Sequence, residues 1–449
     1  HRPAARRLRV SRAPLLTRLA LDTPARRAWA AYDWANSAMY TTIVTALFPI
    51  YYASVAAAGV PRPRATFLFG LTTTAGLVLI ALLAPLLGAI ADYRANKKRQ
   101  LAGFLALGAA AVAAMALVRE GDLLAASILF ILANIGVNGS FVFYDALLPH
   151  VGGRDVDRLS TTGYAIGYLG GGIFLLLCLL PQLAPGAFGL LGPDGTLSGD
   201  TRTALTRGAF VATALWWVGF AIPLFRRVPE PPASLRPGEA AGGSALRAGL
   251  ARLRDLAAEL RRHPQALAML VAFVIYNDGV VTIIRLATIY GEEIGIDRTG
   301  MIVAVLLVQF VGVPFAFLYG ALAGRIGTKP AILLGVLVYV GITLLGWRMD
   351  SAREFFALAL LVGMVQGGVQ ALSRSLFASL IPRDRSGEFF GLFAVFEKFA
   401  GILGPAVFSA VAWALGSSRG AILALAAFFV IGGVLLARVD VAAGRRAVE

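Results

Sequence analysis

Long apolar runs recur along this chain at a length that one physical object dictates. A hydrocarbon layer about 30 Å thick is crossed by about 20 apolar residues in helical conformation, because only a helix or a closed barrel pairs every backbone polar group within lipid. Twelve such runs are found, over residues 28–52, 66–91, 100–118, 122–148, 160–182, 205–225, 266–290, 299–323, 330–347, 353–380, 388–414 and 419–438. The chain is 58% hydrophobic and only 15% charged, against about 25% charged residues in soluble domains. It is expected to be an all-α integral membrane protein with twelve transmembrane helices, its solvent the lipid bilayer.

The net charge of +16 needs a topological reading first, because membrane proteins gather Lys and Arg on short cytoplasmic loops. With the N-terminus placed in the cytoplasm, 29 of the 41 basic residues fall on cytoplasmic segments and 9 lie toward the opposite side, while Arg285, Arg374 and Lys398 lie inside spans. Both termini are therefore expected in the cytoplasm. No aromatic-interleaved basic module accompanies the charge, so nucleic acid is not an expected partner. The arginine-rich arm 1–27 lacks a cleavable small-residue site after a short apolar core and does not read as a signal peptide. The high Ala and Arg content suits a GC-rich bacterial genome, which makes the bacterial cytoplasmic membrane the expected location.

The pattern breaks once. RRVPEPPASLRPGEAAGGSALRAGL is rich in Pro, Gly and Arg and leads into LARLRDLAAELRRH, an amphipathic run that suits a helix along the membrane surface. The division expected is a basic arm 1–27, a six-helix half 28–225, a linker 226–265 with this helix, a second six-helix half 266–438 and a tail 439–449. The halves repeat each other. GAIADYRANKK after the second span aligns without gaps on GALAGRIGTKP after the eighth, placing Gly88 on Gly320 and Lys97 on Lys329; ALLPHVGGRDVDR faces SLIPRDRSGE in the same way, with Pro149 on Pro382. Six-helix repeats with a substrate site near the midplane between them are a transporter architecture.

The loop holding Gly88, Asp92 and Lys97 resembles the signature of the major facilitator superfamily, with Arg94, Lys98 and Arg99 carrying the basic charge. It departs at Tyr93, Ala95 and Asn96, where Arg, Gly and Arg are usual; the second copy keeps Gly320, Arg325, Gly327 and Lys329 but has Gly324 in place of the Asp. AYDWANSAMYTTIVTALFPIYY, FYDALLPHV, GYAIGYLGG, YNDGVVTII with IYGEEIGI, and QALSRSLFASLIPRDRSGEFFGLFAVFEKFAGILGP are together similar to the vacuole-effluxer-like branch of that superfamily, which includes fungal vacuolar amino-acid effluxers tied to autophagy and many bacterial members. The resemblance implies two pseudo-symmetric six-helix halves, a small-molecule substrate with amino acids first, and a monomer working by alternating access. It also implies that Asp92 belongs to conformational switching and that spans one, four, seven and ten line the central cavity.

Charged groups at a bilayer centre cost about 2.5–3.5 kcal/mol each, so they are expected to face a cavity or a partner. Candidates for substrate binding or coupling are Asn36, Tyr40, Asn138, Tyr276, Asn277, Asp278, Arg285, Gln366 and Gln370; candidates for gating are Asp33, Gly88, Asp92, Arg94, Lys97, Asp145, Arg374, Glu397 and Lys398. Asp278 and Arg285 share a helix face about 10.5 Å apart along the axis. A zwitterionic cargo bridging them, a proton carried by Asp278 and structural partners on other helices all fit. Glu397 with Lys398 reads as a structural ion pair or a coupling site. Arg374 reads as a gate or as an arginine snorkelling to the interface, and Asp33 as a helix cap or an inner gate. Gly163, Gly167 and Gly171, spaced by four, allow close helix approach, and Gly401, Gly404 and Pro405 a kink or sliding contact.

No Walker loop, HExxH, GxSxG or kinase set is present. The three histidines, at 1, 150 and 263, lie outside spans or at their edges, and Cys178 is the only cysteine. No enzyme activity, cofactor or metal is expected, and a proton or sodium ion is the expected coupling partner. The remaining alternatives are a lipid or drug exporter of the same fold and a membrane scaffold or sensor that does not transport.

Overall fold

The computed structural model describes residues 14–237, 239, 242–293, 298–400, 404, 407–408, 410–411 and 418–448; of Arg285 and Lys398 it describes the backbone alone. Among the described residues there is no strand. The first span begins at Pro24, where the Thr23 side chain accepts the Arg26 N–H and Pro24 supplies a preset first turn. This helix, α1, runs Pro24–Met39 and continues as π-helical turns Tyr40–Leu47 and Tyr52–Ala56 around a short α segment Phe48–Tyr51. Pro49 lies between the π turns; it has no N–H to donate and its ring crowds the carbonyl four residues back, which favours a widened helix.

Five helices follow before the linker: α2 (Arg62–Arg94), α3 (Lys97–Ala114), α4 (Leu123–Gly152), α5 (Val156–Leu183) and α6 (Gly199–Arg227). The linker carries α7 (Ala245–Arg262), capped by Ser244. Beyond it come α8 (Pro264–Glu293), α9 (Arg298–Ile326), α10 (Thr328–Trp347), α11 (Ala352–Ala378) with a complete Ser351/Glu354 capping box, and α12 (Ser386–Phe399). The chain ends in α13 (Ser418–Ala424), α14 (Ala426–Ala437) and a short α15 (Val441–Arg446). Among the described residues, ten long apolar helices match expected spans, α12 lies at the start of the eleventh, and α13 with α14 lies in the twelfth.

The N-terminal arm, the linker and the tail meet one end of the bundle, here called the linker face. Arg26 Nη1 pairs with Asp155 Oδ2 at 3.0 Å, Ser234 N–H donates to the Asp92 carbonyl at 2.9 Å, and Asp440 N–H donates to Gln265 Oε1 at 2.7 Å. Helices from before and after the linker pack α2 on α12 and α5 on α9 and α11. These contacts obey the repeat. Gly88 on α2 lies where a Cβ would strike the Gly387 carbonyl, and the equivalent Gly320 on α9 lies where a Cβ would strike the Thr161 hydroxyl of α5.

Candidate functional site

Arg374 lies on α11 with 3% of its surface exposed. Its Nη1 is 2.9 Å from Asp145 Oδ1 on α4 and its Nη2 is 3.5 Å from Asp33 Oδ2 on α1. Nε donates to Ser160 Oγ on α5 at 3.0 Å, and Nη2 to the Ser160 carbonyl at 3.2 Å. The guanidinium carbon sits 4.7 Å from the Tyr164 ring centroid, 5.0 Å from Trp29 and 5.6 Å from Tyr144. Tyr144 in turn donates to Asp33 Oδ2 at 2.7 Å and stacks on Trp29 at 4.4 Å. A Cβ on Gly163 would occupy the position of Asp33 Oδ2, so the glycine opens the space the carboxylate fills. The planar fork of an arginine suits this site, since it binds two carboxylates in plane and aromatic faces above and below.

This arrangement decides two of the alternatives. Asp33 is not a helix cap, because Thr23 caps α1 and Asp33 lies about 15 Å further along the axis. Arg374 does not snorkel: its charge is satisfied inside the protein by two carboxylates and a serine from the other half.

A second lock lies nearer the linker face. Asp92 accepts the N–H of Gly387 at 3.1 Å and that of Glu388 at 2.7 Å, while Lys97 Nζ lies 2.5 Å from Asp92 Oδ1. A carboxylate on α2 thus satisfies free donors at the start of α12 and meets the positive end of that helix dipole. Both Asp92 and Lys97 have fully buried side chains. Glu388 is gripped by Arg385 at 2.9 Å and by Arg236 of the linker at 2.8 Å, and Arg385 pairs with Glu259 of α7 at 2.6 Å. Gly88 stands one turn before Asp92. Arg94 does not join the lock; its side chain is exposed.

The pseudo-symmetric position holds a third contact that sequence reasoning missed. Asp157, in the first turn of α5, accepts from Thr328 at 2.6 Å and from Ser375 at 2.6 Å. The second repeat has Gly324 where the first has Asp92, and here the carboxylate comes from the opposite half. The partners are uncharged, so no charge pattern marks them. A cross-half bond from Gln309 on α9 to Thr41 Oγ1, at 2.7 Å, was also missed; a glutamine within an apolar span was the available signal.

Deeper in the bundle the predicted polar residues separate. Tyr276 is bonded to Ser373 at 2.6 Å and Asp278 Oδ2 accepts the Gly404 N–H at 2.9 Å, both within the second half. Asn277 is buried, while Gln366 and Gln370 are half-buried and Tyr40 is 43% exposed. Asn138 Nδ2 donates to the Asn134 carbonyl at 2.8 Å. Among the described residues, neither amide atom of buried Asn36, nor Asn138 Oδ1, nor Thr42 Oγ1 has a hydrogen-bond partner. Glu397 is half-buried and lies within electrostatic reach of Asp145. The side chains of Arg285 and Lys398, and Gly401 and Pro405 altogether, lie outside the described residues.

Twelve apolar spans in two repeats, interlocked at one face by buried charges, define a membrane transporter of the major facilitator type. The chain belongs to the family described as vacuole effluxer Atg22-like, whose model matches residues 23–157 and 153–449. It is 34% identical over 417 residues to an uncharacterized MFS-type transporter of Bacillus subtilis, YxiO, covering 92% of this chain and 94% of that one. It is 29% identical over 310 residues to autophagy-related protein 22 of Cryptococcus neoformans, covering 64% of this chain and 51% of the fungal one, so it spans about half the length of that relative. Among solved structures, that of the proton:xylose symporter XylE aligns with a TM-score of 0.64 at 13% identity, covering 93% of this chain and 94% of the other, a likeness of fold.

Proposed function

We propose that this transporter moves a small polar metabolite, amino acids first, by alternating access, and that its charged lock couples the movement to an ion. The halves 28–225 and 266–438 rock as units, with both termini in the cytoplasm, as the distribution of Lys and Arg supports. The observation that carries the reading is that Asp33 and Asp145 share the single guanidinium of Arg374 across the interface between halves.

Two carboxylates against one buried cation leave an excess negative charge, which a proton or another small cation neutralises. Neutralising Asp145 weakens its hold on Arg374 and so favours parting of the two halves at the linker face. XylE, a proton:xylose symporter by name, makes a proton the first ion to test. Cargo contacts are assigned to Asn36, Tyr40, Asn138, Gln366 and Gln370. Their helical registers put them about 12–24 Å from the linker face, deeper than most of the lock. The unpartnered amide of Asn36 and amide oxygen of Asn138 support this assignment, because a buried polar group without a partner costs about 1–3 kcal/mol. Tyr276 is assigned to holding α8 on α11, and Asp278 to the contact of α8 with Gly404.

Counterflow tests the cargo. Proteoliposomes loaded with mixed unlabelled amino acids receive labelled ones outside; exchange needs binding and alternating access but no net gradient. Accumulation of label by the wild type, lost in Asn36→Leu, supports the reading. Folded protein that accumulates no amino acid overturns it and favours a lipid or hydrophobic export cargo.

A further inference from the structure

The linker helix α7 is held by one stripe and exposes two others. Ala245, Gly249, Arg252, Leu256 and Leu260 are buried. A Cβ on Gly249 would lie 2.8 Å from Ile90 Cγ1 and 3.1 Å from Leu86 Cδ1. Leu86 and Ile90 belong to the last turns of α2, so α7 lies at the level where that span leaves the hydrocarbon. Beside the buried stripe run Leu246, Leu250 and Leu253, exposed by 57, 45 and 36% at helical spacing. Next to the leucines run Arg247, Ala251 and Arg254, all exposed. Ser244, Leu246, Arg247, Leu250, Ala251 and Arg254 line a groove of about 370 Å³.

The buried stripe is wired to the Asp92 lock. Arg252 donates to Glu239 Oε1 at 2.9 Å and to the Ser234 carbonyl, and its guanidinium lies 5.7 Å from the Tyr93 ring. Ser234 N–H donates to the Asp92 carbonyl, and Arg236 joins Asp255 of α7, at 3.2 Å, to Glu388 of α12, at 2.8 Å. With α7 docked, its leucine and arginine stripes stand at a fixed orientation to the bundle. Exposed leucines beside arginines at the membrane border complement one surface chemistry, an apolar layer under anionic headgroups.

We propose that α7 is a docking surface for anionic phospholipid, with phosphates on Arg247 and Arg254 and acyl chains along Leu246, Leu250 and Leu253. Lipid that binds only the docked helix stabilises the docked state, and through Arg252 and Arg236 it favours the closed linker face. This holds whatever the cargo is.

The test uses the full-length protein and the variant Arg247→Gln/Arg254→Gln. Phosphatidylglycerol or phosphatidylcholine is titrated into detergent solution while thermal unfolding is followed. In nanodiscs of each lipid, the distance between spin labels at the exposed positions 94 and 383 reports closure. Phosphatidylglycerol stabilises the wild type and phosphatidylcholine does not; the variant folds but binds phosphatidylglycerol about thirty-fold more weakly, from about five-fold per arginine. Phosphatidylglycerol shifts the label distance toward the closed value in the wild type and not in the variant. Leu250→Gln gives the same loss through the apolar stripe. Equal lipid affinity in wild type and variants, or an equal response to phosphatidylcholine, overturns the docking surface. Weakened binding with an unchanged shift in distance overturns its link to the lock.

Discussion

Ala95 and Gly327 stand at equivalent turns of the two repeats, and both have left-handed backbones, with φ of 51° and 94°. The turn after α9 has ψ of 157°, a backbone open essentially to glycine alone, whereas the turn after α2 has ψ of 50°, the left-handed helical region that a side chain enters only with strain. A side chain held in this region costs roughly 1–2 kcal/mol. Ala95→Gly is expected to stabilise the protein by about 1 kcal/mol, and Gly327→Ala to destabilise it by more, about 2–3 kcal/mol. A Cβ at 327 meets nothing closer than 3.5 Å, at the Pro330 ring, so the second change isolates backbone strain. Unfolding in a denaturing detergent measures both; a destabilised Ala95→Gly protein would show that the turn is not limited by φ.

Gly88 and Gly320 are also equivalent, but their neighbours differ in stiffness. A methyl group at 88 strikes the Gly387 backbone, whereas one at 320 strikes the end of the Thr161 side chain. Gly88→Ala is expected to force the linker face apart and shift spin-label distances between positions 94 and 383 to longer values. Gly320→Ala is expected to be mild, because a rotamer change of Thr161 relieves the clash. Matching distance distributions in wild type and Gly88→Ala would remove the close approach of α2 and α12 as a determinant of closure.

Much of this was legible in the chain because the bilayer imposes a strong period on sequence. The spans, the repeat and the Asp92 loop follow from apolar run length and from two aligned segments. Asp33, Asp145 and Arg374 stand out singly, since a charge in an apolar span has few reasons to be there. Their convergence on one site does not follow from register, because it depends on how α1, α4 and α11 pack across the halves. Asp157 was invisible for a different reason: it lies among other charges at a helix start and its partners are hydroxyls. Tyr276 reads as a cavity residue by position, yet it bonds to Ser373 within its own half.

Asp92 and Lys97 are both fully buried, so removing one leaves the other uncompensated. Asp92→Asn also points an amide donor at backbone N–H groups of α12 that are themselves donors. A loss of about 3–5 kcal/mol is expected, with Lys97→Met smaller because Asp92 keeps its two N–H partners. The double variant should be less damaged than the sum of the single ones. A double-mutant cycle by detergent unfolding decides; strictly additive losses would mean that the pair does not act as a unit.

Glu239 ties α7 to the lock at neutral pH and loosens its hold in acid. The hydrogen bond from Arg252 holds its carboxyl below the usual range. A folded value below the unfolded one means that this contribution is complete above about pH 4.3 and is lost as pH falls through the lower, folded value. Hydrogen exchange across 245–262 should therefore stay slow at neutral pH and quicken in acid, and Glu239→Gln should exchange quickly throughout. A variant protected as well as the wild type at neutral pH would break the proposed tie.

The lock around Arg374 predicts different losses from its different members. Arg374→Ala leaves Asp33 and Asp145 buried without their cation, and a loss of about 3–5 kcal/mol is expected. Arg374→Lys should not restore transport, because an ammonium cannot span two carboxylates and Ser160 while lying against three aromatic rings. Asp145→Asn removes the excess negative charge and leaves Asp33 held by Tyr144 and Arg374, so the protein should fold and exchange labelled cargo in counterflow. It should lose uphill accumulation driven by a pH gradient, since the carboxylate assigned to carry the proton is gone. Asp33→Asn should damage stability more than Asp145→Asn, because Asp33 accepts from both Tyr144 and Arg374. Counterflow and gradient-driven uptake on the same proteoliposomes separate these roles. Gradient-driven uptake that survives Asp145→Asn would move the coupling group elsewhere, with Asp33 the next to test.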